Sequence, residues 1–115
     1  MVLSTIGPDE RASLEHLRPG RVVRDRVSGA RAVVVQRDPV CARDGLWYTS
    51  RSDRPRRDQP WFHLLFDGSA LTGYLAQEDL ELEAMPTPVE HPLLNLYFNG
   101  FESGSHVRNG RHWGR

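Results

Sequence analysis

Residues able to do chemistry are sparse in this chain of 115 residues. Cys41 is the only cysteine, so an internal disulfide is impossible and a zinc site would have to be built mostly from histidine. As a nucleophile, Cys41 would need a nearby base and a helix start or cation to lower its pKa. Cys41 falls in an irregular stretch with no helix start expected beside it. His63, His91, His106 and His112 are scattered, without the paired short spacing of metal ligands. The G-x-S-x-G pattern of a serine hydrolase does not occur. These absences point away from an enzyme: the sequence predicts no catalytic residue, no metal and no cofactor.

Arginine is the stronger signal. All fifteen basic side chains are arginine, balanced by fifteen acids to a net charge of zero. Lysine-free composition is what a GC-rich coding bias gives, although arginine also forms planar forks to phosphate or carboxylate. The charges are segregated along the chain. Twelve arginines and five acids stand between Arg11 and Arg57, whereas Asp58 to Val107 holds eight acids and no arginine. Arg43, Arg51, Arg54, Arg56 and Arg57 fall in one irregular stretch, with Trp47, Tyr48 and Trp61 nearby as stacking faces. Such a loop can track nucleic-acid phosphates. The neutral total argues against indiscriminate binding to nucleic acid, which depends on neutralising phosphate.

The elements that would position these residues are mostly strands. A short helix is predicted over about 9–17, where Asp9 and Glu10 suit the positive end of the helix dipole and Leu14 and Leu17 form a narrow stripe. Pro19-Gly20 ends it. RVVRDRV and RAVVVQRD are β-rich runs joined through Ser28-Gly29, and Asp38-Pro39 stops the second. Residues 40–60 show no periodicity and predict a long surface loop. WFHLLFD and LTGYLA then predict a third and fourth strand around Asp67-Gly68-Ser69. Along the third, Phe62, Leu64 and Phe66 share one face, expected to be the core; Trp61, His63, Leu65 and Asp67 share the other. QEDL suits one turn of 3₁₀ helix and ELEA a last short strand. HPLLNLYFNGF predicts a short apolar helix, with Pro92 in its first turn and Asn99-Gly100 as its stop. A polar, frayed tail is expected after it.

Together these landmarks resemble the YccV-like family, also called hemimethylated-DNA-binding proteins or heat-shock protein Q. Gly20 with Val23-Arg24 resembles the first strand, and Val33-Val34-Val35 closing on Asp38-Pro39 the second. Gln59-Pro60-Trp61-Phe62-His63-Leu64-Leu65 is similar to the central signature. Tyr74-Leu75-Ala76-Gln77-Glu78-Asp79-Leu80 is similar to the strand and acidic turn that follow. His91-Pro92, Tyr97-Phe98 and Phe101 resemble an extension carried by longer members. Phe62 stands where tyrosine is usual, and Gly73 where histidine or threonine is common.

The resemblance implies a small SH3-like five-stranded β-barrel with short helical segments at its N- and C-terminal ends. On that pattern residues 1–17 are an N-terminal arm, 18–84 the barrel with its variable loop at 40–60, and 85–115 a linker, apolar helix and tail. It also implies two kinds of partner. One is DNA methylated on one strand, met through the arginine loop. The other is a protease or client protein, in an adaptor role in ATP-dependent proteolysis. The residues suggest a partner groove around Trp61, His63, Tyr74 and Glu78, and a protein-interaction surface at Leu94, Tyr97 and Phe98. The apolar helix also makes self-association conceivable. A lone strand histidine such as His63 is more often structural than a ligand. No apolar run approaches the roughly 18 residues of a membrane span, and no secretory signal is visible, so a cytoplasmic location is expected.

Overall fold

The computed structural model describes residues 14, 17–50 and 54–110. Strands β1 (Val22–Asp25), β2 (Arg31–Asp38), β3 (Trp61–Phe66), β4 (Thr72–Ala76) and β5 (Leu80–Leu82) form one antiparallel sheet in the order β4-β3-β2-β1-β5. A 3₁₀ turn at Gln77–Asp79 carries the chain from one edge to the other. Two short helices interrupt the strands, α1 (Gly45–Thr49) and α2 (Leu94–Tyr97), before a closing hairpin of β6 (Phe98–Glu102) and β7 (Ser105–Arg108). The fold is therefore mainly β, with seven strands among the described residues. Among the described residues no ladder joins β4 to β5, so the ladders describe an open sheet rather than a closed barrel. The expected helix over about 9–17 lies outside the described residues, save for Leu14 and Leu17.

Local chemistry explains the β1–β2 connection. The Asp25 carboxylate accepts from Val27 N at 2.9 Å, and Gly29 adopts φ +77° to complete the turn. At the other end of β2, Pro39 lacks the donor that a further ladder rung would need.

Both faces of the sheet are buried. Val23, Ala32, Val34, Phe62, Leu64 and Leu80 form the first core with Leu14 and Leu17. This is the face the alternation in WFHLLFD marks as interior. The opposite face carries a second core, in which Val22, Val33, Val35 and Leu65 meet Val89, Tyr97 and Phe98 from the C-terminal segment. The expected helix over residues 91–101 is shorter, ending at Tyr97, and Phe98–Glu102 pairs instead with Ser105–Arg108, at the start of the expected polar tail, as a hairpin; residues 111–115 of that tail lie outside the described residues. Ser103 and Gly104 both take positive φ, 53° and 78°, the turn that matches the twist of paired strands. Phe101 and His106 face each other across it, ring centroids 4.9 Å apart. The linker ahead of α2 is strapped down as well. Arg31 donates to Thr87 Oγ1 at 2.7 Å, Glu90 N to Asp67 Oδ1 at 2.8 Å, and Val89 N to His106 Nε2 at 2.9 Å.

The two charged halves of the sequence meet in space. Acidic β5 pairs with basic β1, and Arg24 reaches Glu83 at 2.5 Å. Arg31 lies between Glu83 at 3.6 Å and Asp67 at 3.8 Å. These arginines are balanced by their strand neighbours.

Gly20 joins the sheet to the hairpin. Its N–H donates to Val34 O and its carbonyl accepts from His106 N, both at 2.8 Å. It holds φ +100°, and a Cβ there would lie 2.2 Å from the His106 carbonyl oxygen. Gly20→Ala is expected to cost about 3 kcal/mol through backbone strain and the displaced hairpin. Urea unfolding checks this; a midpoint within error of the parent would contradict the clamp.

Candidate nucleic-acid interface

The site lies on the second face of the sheet, between two covers. Trp61, His63 and Leu65 alternate along that face. The C-terminal segment covers Leu65, and the segment from Cys41 to Gln59 covers Trp61. His63 sits half-buried in the gap between them.

A β-bulge aims the polar groups into this gap. Val34 pairs with Leu64 and Gln36 with His63, so Val35 is an extra residue in β2. Side chains alternate with period two, and one inserted residue inverts the face of everything beyond it. Gln36 and Asp38 are thereby turned onto the face of His63. Asp38 Oδ2 contacts His63 Nε2 at 3.0 Å and accepts from Tyr74 Oη at 2.7 Å, while Oδ1 accepts from Gln36 Nε2 at 3.2 Å. Tyr74 Oη in turn accepts from Ala42 N at 2.9 Å. Burial pushes the Tyr74 hydroxyl far above its ordinary range, so it remains a proton donor. Burial also lowers the pKa of His63, against the opposing pull of Asp38. His63 is therefore neutral near pH 7, and its Nε2–H is the donor to Asp38.

Among its described residues, the 40–60 segment is not the featureless surface loop that its composition predicts. Asp44 caps α1 by accepting from Trp47 N at 2.8 Å. Trp61 is fully buried and donates from Nε1 to Arg56 O at 3.1 Å. Tyr48 donates to Pro55 O at 2.7 Å. Cys41 N donates to Arg57 O at 3.0 Å, and Arg57 donates back to Arg43 O at 2.5 Å with its guanidinium 5.0 Å from the Tyr48 ring centroid. Trp47, Trp61 and Tyr74 pack as one aromatic cluster, with centroids 5.2 to 6.0 Å apart. Arginine and proline made the stretch look solvated; its aromatics and backbone carbonyls hold it to the sheet.

The predicted site residues divide accordingly. His63 and Tyr74 line a cleft of about 330 Å³ together with Arg43, Trp47, Thr72 and Gly73. Trp61 lies beneath that cleft and offers no face to a ligand. Glu78 stands apart, accepting from Arg56 N at 3.3 Å. Arg43, Arg54 and Arg56 are exposed, and Arg56 pairs with Asp58 at 3.0 Å. Arg57 is half-buried and braces the loop; Arg51 lies outside the described residues. Leu94 is half-buried, and Tyr97 and Phe98 are buried in the second core. Sequence reasoning missed Asp38 as the organiser of the cluster. Its signal was present as Gln36 and Asp38 alternating after a valine run, but their facing depends on the bulge. It also missed Thr72. Among the described residues, no group of three or more His, Cys, Asp or Glu could hold a metal, and no helix is long and apolar enough to cross a membrane.

Two outcomes follow from this arrangement. Trp61→Phe keeps a ring in the pocket but loses the indole N–H bond to Arg56, at about 1–2 kcal/mol. Trypsin is expected to cut after Arg56 or Arg57 faster in this variant, and an unchanged cleavage rate would contradict the anchoring role. The second concerns pH. His63 and His106 both sit below the ordinary 6.5, each chiefly through burial, and His106 Nε2 accepts a backbone hydrogen bond that protonation would break. The unfolded chain binds these protons first, so stability is fully present above 6.5 and declines as pH falls through the folded-state values. Unfolding free energies from urea curves should be level from about pH 8 to 7 and fall between about 6.5 and 5. A rise over that interval would contradict neutral histidines in the fold.

A family model described as YccV-like, hemimethylated DNA-binding protein YccV like, matches residues 16–105. The match takes in both covers of the cleft and extends over the C-terminal segment as far as β7. No curated protein and no solved structure matches the chain.

Proposed function

The chain belongs to the YccV-like family, and from that premise we propose that it is a non-enzymatic DNA-binding module, with hemimethylated duplex as its partner. The observation that carries the proposal is the family match over residues 16–105. The site's geometry supports it. Arg43, Arg54 and Arg56 project from a segment that Trp61 and Arg57 hold in place, so the cations are presented on an anchored loop. A held loop loses less entropy on meeting a phosphate backbone than a free one. Arg24 and Arg31, by contrast, are already paired with Glu83 and Asp67, so they have less to offer a phosphate. Phosphate contacts set position, and discrimination of a methylated strand requires an apolar contact in the major groove.

An adaptor role in ATP-dependent proteolysis is the alternative, resting on the acidic 77–83 run and the apolar segment around α2. Tyr97 and Phe98 cover the protein's own sheet, and Glu83 is paired with Arg24, so less of that surface is available to a partner. We rank it second.

Titration of hemimethylated, fully methylated and unmethylated duplexes at several salt concentrations tests the proposal. The hemimethylated duplex should bind tightest, with affinity falling as salt rises. Arg43→Ala should weaken binding to all three and lower the salt slope by about one. Equal, weak affinity for all three with no salt dependence would overturn it.

A further inference from the structure

We propose that the cleft bounded by Arg43, His63 and Thr72 seats one phosphate diester of bound DNA, and that filling it draws a proton onto His63. This rests on the DNA-binding proposal above and adds a specific contact to it.

The lining carries the chemistry. Arg43, Trp47, His63, Thr72, Gly73 and Tyr74 enclose about 330 Å³, and none of them is acidic. The space suits a phosphate group with its ester oxygens better than a flat base, because the aromatic faces are already engaged. Tyr74 stacks on Trp61 at 5.2 Å and lies 4.4 Å from the His63 ring, and the Arg43 guanidinium lies 5.0 Å from the Trp47 ring centroid. The lining also holds the Arg43 guanidinium and the Thr72 hydroxyl, donors that phosphate oxygens accept from, and the His63 imidazole, whose Nε2–H is given to Asp38 and which adds a donor for an anion only once it is protonated. The nearest carboxylate, Asp38, is turned inward onto His63, Tyr74 and Gln36.

Proton coupling follows from the groups that face His63. From β2 Asp38 favours the imidazolium, and from the loop Arg43 opposes it; from β4 Tyr74 stays neutral, and Trp47 of α1 carries no charge. Burial tips the balance to neutral imidazole in the empty cleft. An anion between Arg43 and His63 cancels the repulsion and adds an attraction, so the imidazolium becomes the favoured form. Thr72 and Arg43 supply donors at any pH; His63 adds a charge only when the cleft is filled.

The test is duplex affinity at constant salt between about pH 8 and 6, with the full chain and with His63→Gln, whose amide can still donate to Asp38. The parent should tighten as pH falls, by up to about tenfold per unit for one proton. His63→Gln should still bind, with no pH dependence and with a salt slope up to about one lower than the parent's near pH 6. Parent affinity that ignores pH, or pH dependence that survives in His63→Gln, would overturn the inference while leaving DNA binding intact. Absence of duplex binding at every salt concentration would remove both. Should His63→Gln misfold, NMR titration of the His63 ring in the parent decides. Duplex should raise its midpoint, and millimolar inorganic phosphate should raise it little. A midpoint unmoved by duplex, or moved as far by inorganic phosphate alone, would overturn the assignment to a DNA phosphate.

Discussion

The buried indole of Trp61 is the contact on which the rest of the site depends. Its ring packs in one cluster with Cys41, Trp47 and Tyr48 of the arginine segment and Tyr74 and Ala76 of β4, and its N–H closes on the carbonyl of Arg56. Burying a tryptophan removes a large apolar surface from water, and truncating one typically costs about 3–5 kcal/mol. Here that energy does more than stabilise a core. It holds a segment rich in arginine and proline against the sheet, a segment that composition alone would leave in solvent. Tyr48, Arg57 and the Asp44 cap then fix its course. The placement of Arg43 beside His63 is a consequence of that anchoring.

Burial on both faces is the second constraint. An antiparallel sheet often leaves one face wet, but here the C-terminal segment covers one part of the second face and the arginine segment another. The cleft is the gap they leave, with His63 at its floor. Charge follows the same economy. The basic and acidic runs, far apart in sequence, are brought side by side as β1 and β5, and their ion pairs neutralise one end of the sheet. Arg43 and Arg54 of the loop stay exposed.

Much of this is legible in the residues. Period-two alternation in WFHLLFD marks Phe62, Leu64 and Phe66 as the inner face, and Asp38-Pro39 and Asp67-Gly68 end strands where the chain does end them. The landmarks that resemble the YccV-like family lie within the residues its model matches. Three things were not legible, each for a physical reason. The bulge at Val35 depends on strand pairing, so the facing of Gln36 and Asp38 cannot be counted off the sequence. The β6–β7 hairpin is polar outside, and its inward residues, Phe98 and His106, make sense only against a second core. The order among the described residues of 40–60 comes from bonds to Trp61 and Tyr74, which leave no periodic trace.

The account's central claim is that the partner is met at the cleft and its arginine loop, rather than at the C-terminal hairpin or the acidic edge. Chemical-shift mapping of the isotope-labelled protein with a hemimethylated duplex tests this most directly. The account predicts that the largest shifts fall on Arg43, the Trp47 indole, His63, Thr72 and the backbone of residues 54–57. Shifts concentrated on α2 and the β6–β7 hairpin, with the cleft unmoved, would contradict it.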